Sequence, residues 1–341
     1  MGERRDPVEA RDDGTMDLYE ISQWEVRSRL DRFSVWLYGT AVAAVRLFVV
    51  GLAVLILVGQ FALGGLGLVT DPVVGAFVVL SAVPAGLLAA YLWYADVTTS
   101  EPLELLVATF LLGVLFASFA GILNTELGPY VAGIGSGFGA VPIFGAFALF
   151  FLVVGPVEEA VKLLAVRLHA YRSPSFDAVI DGAVYGAVAG LGFATIENAL
   201  YITRSIEGAA QMVGVVTAGS DIAAVRALAG PGHVIYSAFA GYYLGLAKFN
   251  RDHAGPLVVK GIIVAAAVHG TYNVSATVLV PGITELFAVG EFVAFLGFVV
   301  LYDGLFGYLL LRKLAKYNAA YRQVNHPNGG EAIQPDRTEF E

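Results

Sequence analysis

Apolar residues fill eight long blocks of the chain, roughly 41–63, 73–95, 103–123, 140–170, 178–203, 231–248, 257–280 and 286–311, separated by short polar stretches. A membrane-crossing helix needs about 20 mostly apolar residues, and these blocks meet that length without the strict alternation of a transmembrane β-strand. The pattern predicts an all-α, polytopic membrane protein of about eight spans whose helical bundle carries any site. Composition agrees, because 57% of the residues are hydrophobic and only 14% charged. Three regions follow: an acidic cytoplasmic tail over 1–40, with a possible interfacial helix among Leu18, Ile21, Trp24 and Leu30; a transmembrane domain over 41–312; and a disordered cytoplasmic tail over 313–341.

Charge orients the bundle. Placing the N-terminus inside puts 17 of the 20 Lys and Arg residues on inner segments and only Arg204 and Arg226 on outer ones, which predicts a multi-pass cell-membrane protein with both termini cytoplasmic. The N-terminal tail is acidic, which argues against nucleic acid as a partner and leaves the lipid bilayer as the surrounding medium. The absence of Cys removes thiol nucleophiles, thiolate metal sites and disulfides. Two outer segments invite a dynamic reading: the Gly-rich connection from Asn124 to Gly139 as a loop or lid, and 204–230 as a long loop at a substrate entrance.

Within the blocks, ionisable residues recur on faces made of small ones. Gly182, Gly186, Gly190 and Glu197 share one face; so do His233, Ser237, Gly241 and Gly245, and so do Gly261, Ala265, His269 and Asn273. Each stripe alone is accounted for by close helix packing with a polar residue as hydrogen-bonding glue. Three of them beside the pair Glu158-Glu159, which ends an uncharged run from Phe138 to Pro156, point to a site instead. At 1.5 Å rise per residue, Glu158, Glu197, His233, His269 and Asn273 all come out about 20 to 30 Å from their inner turns, with Lys162 one turn below the glutamates. Such a set suits hydrolysis by an activated water: a buried carboxylate takes the proton while His and Asn donate to the oxyanion. The same residues can instead ligate Zn²⁺, for which Glu158, Glu197, His233 and His269 are the candidates, although no His-Glu-x-x-His helix is present.

The ordered motifs Glu158-Glu159-x-x-Lys162, Phe193-x-x-x-Glu197, His233 and His269-x-x-x-Asn273 resemble those of the PrsW family of intramembrane proteases, relatives of the CAAX-processing and bacteriocin-processing proteases. The segment Asp96 to Pro102 resembles it as well. The resemblance implies Glu158 as base with Glu197 as companion, His233 beside them, and His269 and Asn273 at the oxyanion. Glu159 would orient Lys162 or bind substrate backbone, and Phe193 would support. Glu197 stands where CAAX enzymes carry His, which fits PrsW and weakens a CAAX substrate. The implied partner is a membrane-anchored protein resembling an anti-sigma factor; no cofactor is required by a glutamate mechanism, and zinc stays open. The rival readings are a proton-coupled transporter, for which no second copy of the motifs is found, and a non-catalytic scaffold or immunity protein.

Overall fold

A computed structural model describes residues 26–62, 71–98, 100–136, 142–206 and 212–325. Among them every regular element is helical. In order these are α1 (Arg29–Ala62), α2 (Pro72–Tyr94), α3 (Leu103–Ser136), α4 (Pro142–Leu149), α5 (Gly155–Leu168), α6 (Val179–Ile206), α7 (Met212–Phe249), α8 (Ala254–Val274), α9 (Val280–Phe287) and α10 (Glu291–Asn325). Two π-helical segments interrupt the run: Phe150–Val154 joins α4 to α5, and Ser275–Leu279 joins α8 to α9. Among the described residues, those up to Leu55 form one compact unit and those from Ile56 a second. In the first, α1 opens with a reciprocal cap, Ser28 Oγ accepting from Asp31 N (3.0 Å) and Asp31 Oδ2 from Ser28 N (2.6 Å).

The second unit is built around α6, along which nearly every residue from Ile180 to Ala199 is buried. It packs against α2, α3, α5 and α7, while α8 lies against α5 and α7 and α10 against α7. Absent side chains make the α6–α7 approach possible. A Cβ placed on Gly182 would run into the Gly241 carbonyl oxygen, one on Gly186 into that of Ser237, and one on Gly190 into that of His233. Across α6, Gly113 and Gly192 allow the same closeness to α3, whose Phe110 carbonyl oxygen would meet a Cβ on Gly192. Small-residue stripes let helix backbones meet in a membrane, where apolar burial does not drive association. The outward faces are correspondingly apolar: Val79, Leu80 and Leu87 on α2 and Val300, Leu301 and Leu305 on α10 are exposed.

Five helical stretches among the described residues are long and apolar enough to cross a membrane: Pro72–Tyr94, Leu103–Val131, Val179–Ile206, Arg251–Phe287 and Glu291–Arg322. That is fewer than the eight blocks of the sequence. The block at 140–170 becomes α4, a π segment and α5, the last carrying Glu158, Glu159, Lys162 and Arg167, and 231–248 is the second half of the longer α7. Several expected loops are helix. The connection after Asn124 continues α3 to Ser136, and 212–230 is the first half of α7. One polar residue from each stretch, Asn124 and Arg226, turns inward (below). Helix α1 starts at Arg29, inside the expected tail, and α10 runs past 312 to Asn325. The remainder of both tails, including most of the proposed interfacial segment, lies outside the described residues.

Candidate active site

The glycine-lined crossing of α6 and α7 brings Glu197 and His233 together, and α5 and α8 close on them from the other side. Backbone contact is again the means: a Cβ on Gly155, just before Pro156, would come 2.8 Å from the Ala266 carbonyl oxygen of α8. Both π segments lie beside chemistry-bearing residues, Phe150–Val154 four residues before Glu158 and Ser275–Leu279 two after Asn273. Such segments shift the helical register by one residue and are common at functional sites.

Four buried side chains form the centre: Glu158, Glu159, Lys162 and His269, with His233 against them. Glu159 is fully buried. Its Oε1 accepts from Lys162 Nζ (2.7 Å) and His269 Nδ1 (2.9 Å), and its Oε2 from Ser237 Oγ (3.3 Å). Both of its oxygens are engaged, and it has no exposed edge. Lys162 Nζ also lies 2.9 Å from His233 Nδ1 and 4.3 Å from the centroid of the Phe193 ring. An ammonium can only donate, so His233 accepts at Nδ1 and carries its hydrogen on Nε2, which donates to Glu197 Oε2 at 2.8 Å. Glu159 can only accept, so His269 Nδ1 donates to it, which in the neutral ring leaves the lone pair on Nε2.

That lone pair faces Glu158. His269 Nε2 is 3.8 Å from Glu158 Oε2, and Lys162 Nζ is 3.9 Å from the same oxygen. The other oxygen, Oε1, accepts from Asn124 Nδ2 at 3.0 Å. Oε2 is buried without a hydrogen-bond partner. Glu158 lines a cavity of about 600 Å³ together with Asn124, Phe193, Glu197, Tyr272, Asn273 and Thr277. Asn273 there is half-buried.

Three residues essential to this geometry are missing from the motif reading. Arg226 pairs with Glu197 through Nη2, donates from Nε to Asn198 Oδ1 (2.8 Å) and stacks 4.4 Å from the Tyr201 ring centroid. Asn198 in turn donates to Ser81 Oγ (3.0 Å). Glu197 is thus joined to the centre through His233, and its carboxylate is held chiefly by Arg226. Arg226 lies seven residues before His233 and so on the same face of α7. That spacing is readable in the sequence once the helix is extended upstream of Pro231. Asn124 carries no comparable signal, since its role depends on α3 continuing where Gly-rich composition suggests a turn.

The donor types suit a zinc-like ion, but His233, with Nδ1 accepting from Lys162 and Nε2–H donating to Glu197, must release one of those contacts before it can ligate. One atom each from Glu158, His233 and His269 lies within 4.8 Å of the other two, and two imidazoles with a carboxylate are a common zinc set. The His269–Glu159 bond is the outer partnership that metal-ligating histidines usually show. Glu197 stands outside this compact group. The charges point the same way, as three carboxylates, Glu158, Glu159 and Glu197, face only two cations, Lys162 and Arg226.

Comparison with known proteins now has a geometry to rest on. Residues 101–305 match the family described as PrsW family intramembrane metalloprotease. The chain is 30% identical over 207 residues to Protease PrsW of Bacillus subtilis (strain 168), covering 60% of this chain and 84% of that protein. It is 29% identical over 191 residues to Protease PrsW of Halalkalibacterium halodurans, covering 56% and 78%. Protease PrsW of Geobacillus kaustophilus is 30% identical over 191 residues, 56% of this chain and 75% of that protein. No solved structure matches the chain. The matched region contains the whole cluster from Asn124 to Asn273.

Proposed function

As the chain belongs to the PrsW family of intramembrane proteases, we propose that it is an endopeptidase that cuts a membrane-anchored protein of the anti-sigma-factor kind near the outer face of the cell membrane, with both its own termini cytoplasmic. The observation that carries this reading is the pair formed by Glu158 Oε2 and His269 Nε2, 3.8 Å apart, on two buried residues that line a cavity. Glu158 Oε2 takes a proton from the attacking water as its oxygen bonds to the scissile carbonyl carbon. The same carboxyl then hands that proton to the departing amine as the C–N bond breaks.

Lys162 and Glu159 hold the two imidazoles in fixed tautomers, and Asn124 holds the second Glu158 oxygen, so the base is aimed before substrate arrives. The amide of Asn273 supplies a donor for the oxyanion. Arg226 and Glu197 brace His233. A divalent metal would be held by Glu158, His269 and, once it releases Lys162 or Glu197, His233, and when bound would polarise the carbonyl and make its water more acidic.

The test is cleavage of single-span substrates by purified protein in lipid. Glu158→Gln and His269→Ala should each lower the rate by about 10²- to 10⁴-fold with the fold intact by circular dichroism. A Glu158→Gln protein that cuts at the normal rate overturns the mechanism. Inhibition by chelator that zinc reverses assigns water activation to the metal; full activity in chelator assigns it to Glu158 alone.

A further inference from the structure

A second set of carboxylates meets inside the fold, away from the catalytic cluster. Asp96 lies just past the end of α2, Glu101 two residues before α3, and Asp181 in the first turn of α6. One oxygen of each lies within 4.8 Å of the other two. Asp181 is fully buried and Glu101 is 3% exposed. Along α6, Asp181 precedes Glu197 by 16 residues, which separates the two clusters by about 24 Å.

Two of these carboxylates are each held by one oxygen, with the other left over. Asp96 Oδ1 accepts from the backbone N (2.8 Å) and Oγ1 (2.7 Å) of Thr98, while its Oδ2 is buried without a partner. Asp181 Oδ2 accepts from Asp177 N (2.7 Å) and Ala178 N (2.9 Å), while its Oδ1 is buried without one. Neither oxygen of Glu101 accepts from a side-chain donor, and its carboxyl lies against that of Asp96.

Neutral oxygens are left over nearby. Tyr185, one turn along α6 from Asp181, is fully buried with its hydroxyl unbonded, and both Glu101 and Asp181 act on it electrostatically. Asn318 of α10 donates from its amide to the Ala95 carbonyl (2.8 Å), beside Asp96, and its own Oδ1 has no partner. Among the described residues no Lys, Arg or His forms an ion pair with the three acids. Lys248, which acts on Asp181 at longer range, spends its ammonium on the carbonyls of Tyr171 (2.8 Å) and Ser173 (3.3 Å).

We propose that Asp96, Glu101 and Asp181 form a binding site for a hard divalent cation, Mg²⁺ or Ca²⁺, at the end of the helical bundle opposite the catalytic cluster. The donors are all oxygen, the choice of hard cations, whereas the catalytic set mixes oxygen with imidazole nitrogen. Oxygens bound at 2.3 to 2.6 Å on opposite sides of one ion lie about 5 Å apart, which the observed spacing satisfies. The Thr98, Asp177 and Ala178 contacts orient the carboxylates as outer partners orient metal ligands. The ion would fasten the α2–α3 connection to the start of α6.

The competing way to neutralise the cluster is a proton, since burial and then neighbouring Asp96 push the Glu101 carboxyl up to about 9. Terbium(III) luminescence, excited through tyrosine in the purified full-length protein near neutral pH, separates the two. The wild type should give a saturable signal that excess Mg²⁺ or Ca²⁺ displaces, and either ion should raise its melting temperature. Asp96→Asn should weaken binding by about tenfold or more, the Glu101→Gln/Asp181→Asn pair should abolish it, and Glu158→Gln should retain it. If the double variant does not fold, Asp96→Asn decides alone, being half-exposed and outside any helix. No displaceable signal, equal affinity in Asp96→Asn and wild type, or a melting temperature raised by acid and unmoved by Mg²⁺ or Ca²⁺ overturns the proposal.

Discussion

Lys162 reaches Glu159, His233 and, more distantly, Glu158 from one buried ammonium, so it fixes a carboxylate, a tautomer and part of the charge balance together. Such a residue resists removal, because a buried carboxylate left without its partner costs about 3 to 5 kcal/mol. Arg226 is the more informative target. Its guanidinium sits at the cavity edge and touches neither Glu158 nor His269, so Arg226→Ala should leave the protein folded while freeing Glu197 and, through it, His233. The expected loss is about 10- to 100-fold in activity or in metal affinity, read as cleavage rate and as zinc retained after dialysis. Arg226→Lys should recover only part of it, since a single ammonium cannot serve Glu197 and Asn198 with the fork of a guanidinium.

Helices, not loops, place these residues, and glycine decides how close the helices come. Gly186→Val should force α6 off the Ser237 carbonyl of α7 and lower stability by about 1 to 3 kcal/mol or more, with cleavage falling as Glu197 and His233 separate. Gly86→Ala, where an added Cβ meets nothing within 4 Å, should change neither; thermal melts of the two variants check this. The stripes were readable in the sequence because four-residue spacing on a helix is a local property. So was the pairing of each chemical residue with a small-residue face. The conversion of 124–136 and 212–230 from expected loop to helix was not readable, because Gly and polar residues there look like solvent exposure, while Asn124 and Arg226 among them turn toward the cavity. The two π segments were equally hidden, since nothing in Phe150–Val154 or Ser275–Leu279 departs from an ordinary apolar run.

At the scale of the whole molecule, the exposed apolar faces of α2 and α10 and five long apolar helical stretches describe a multi-pass membrane protein. The natural absence of Cys makes its proposed orientation directly measurable. A single Glu126→Cys should react with a membrane-impermeant maleimide on intact cells, and a single Arg251→Cys only after permeabilisation; both positions are exposed. The reverse labelling would invert the bundle and place proteolysis on the inner side. One feature of the fold ties its two ends together. Helix α6 is clasped by bare backbone along most of its length, so it behaves as a stiff rod with Asp181 at one end and Glu197 near the other. If a ligand at one end shifts the helix, thermodynamic reciprocity makes the effect at the other end mutual. An ion that favours one setting of the rod must grip harder, by the same factor, when a substrate favours that setting too.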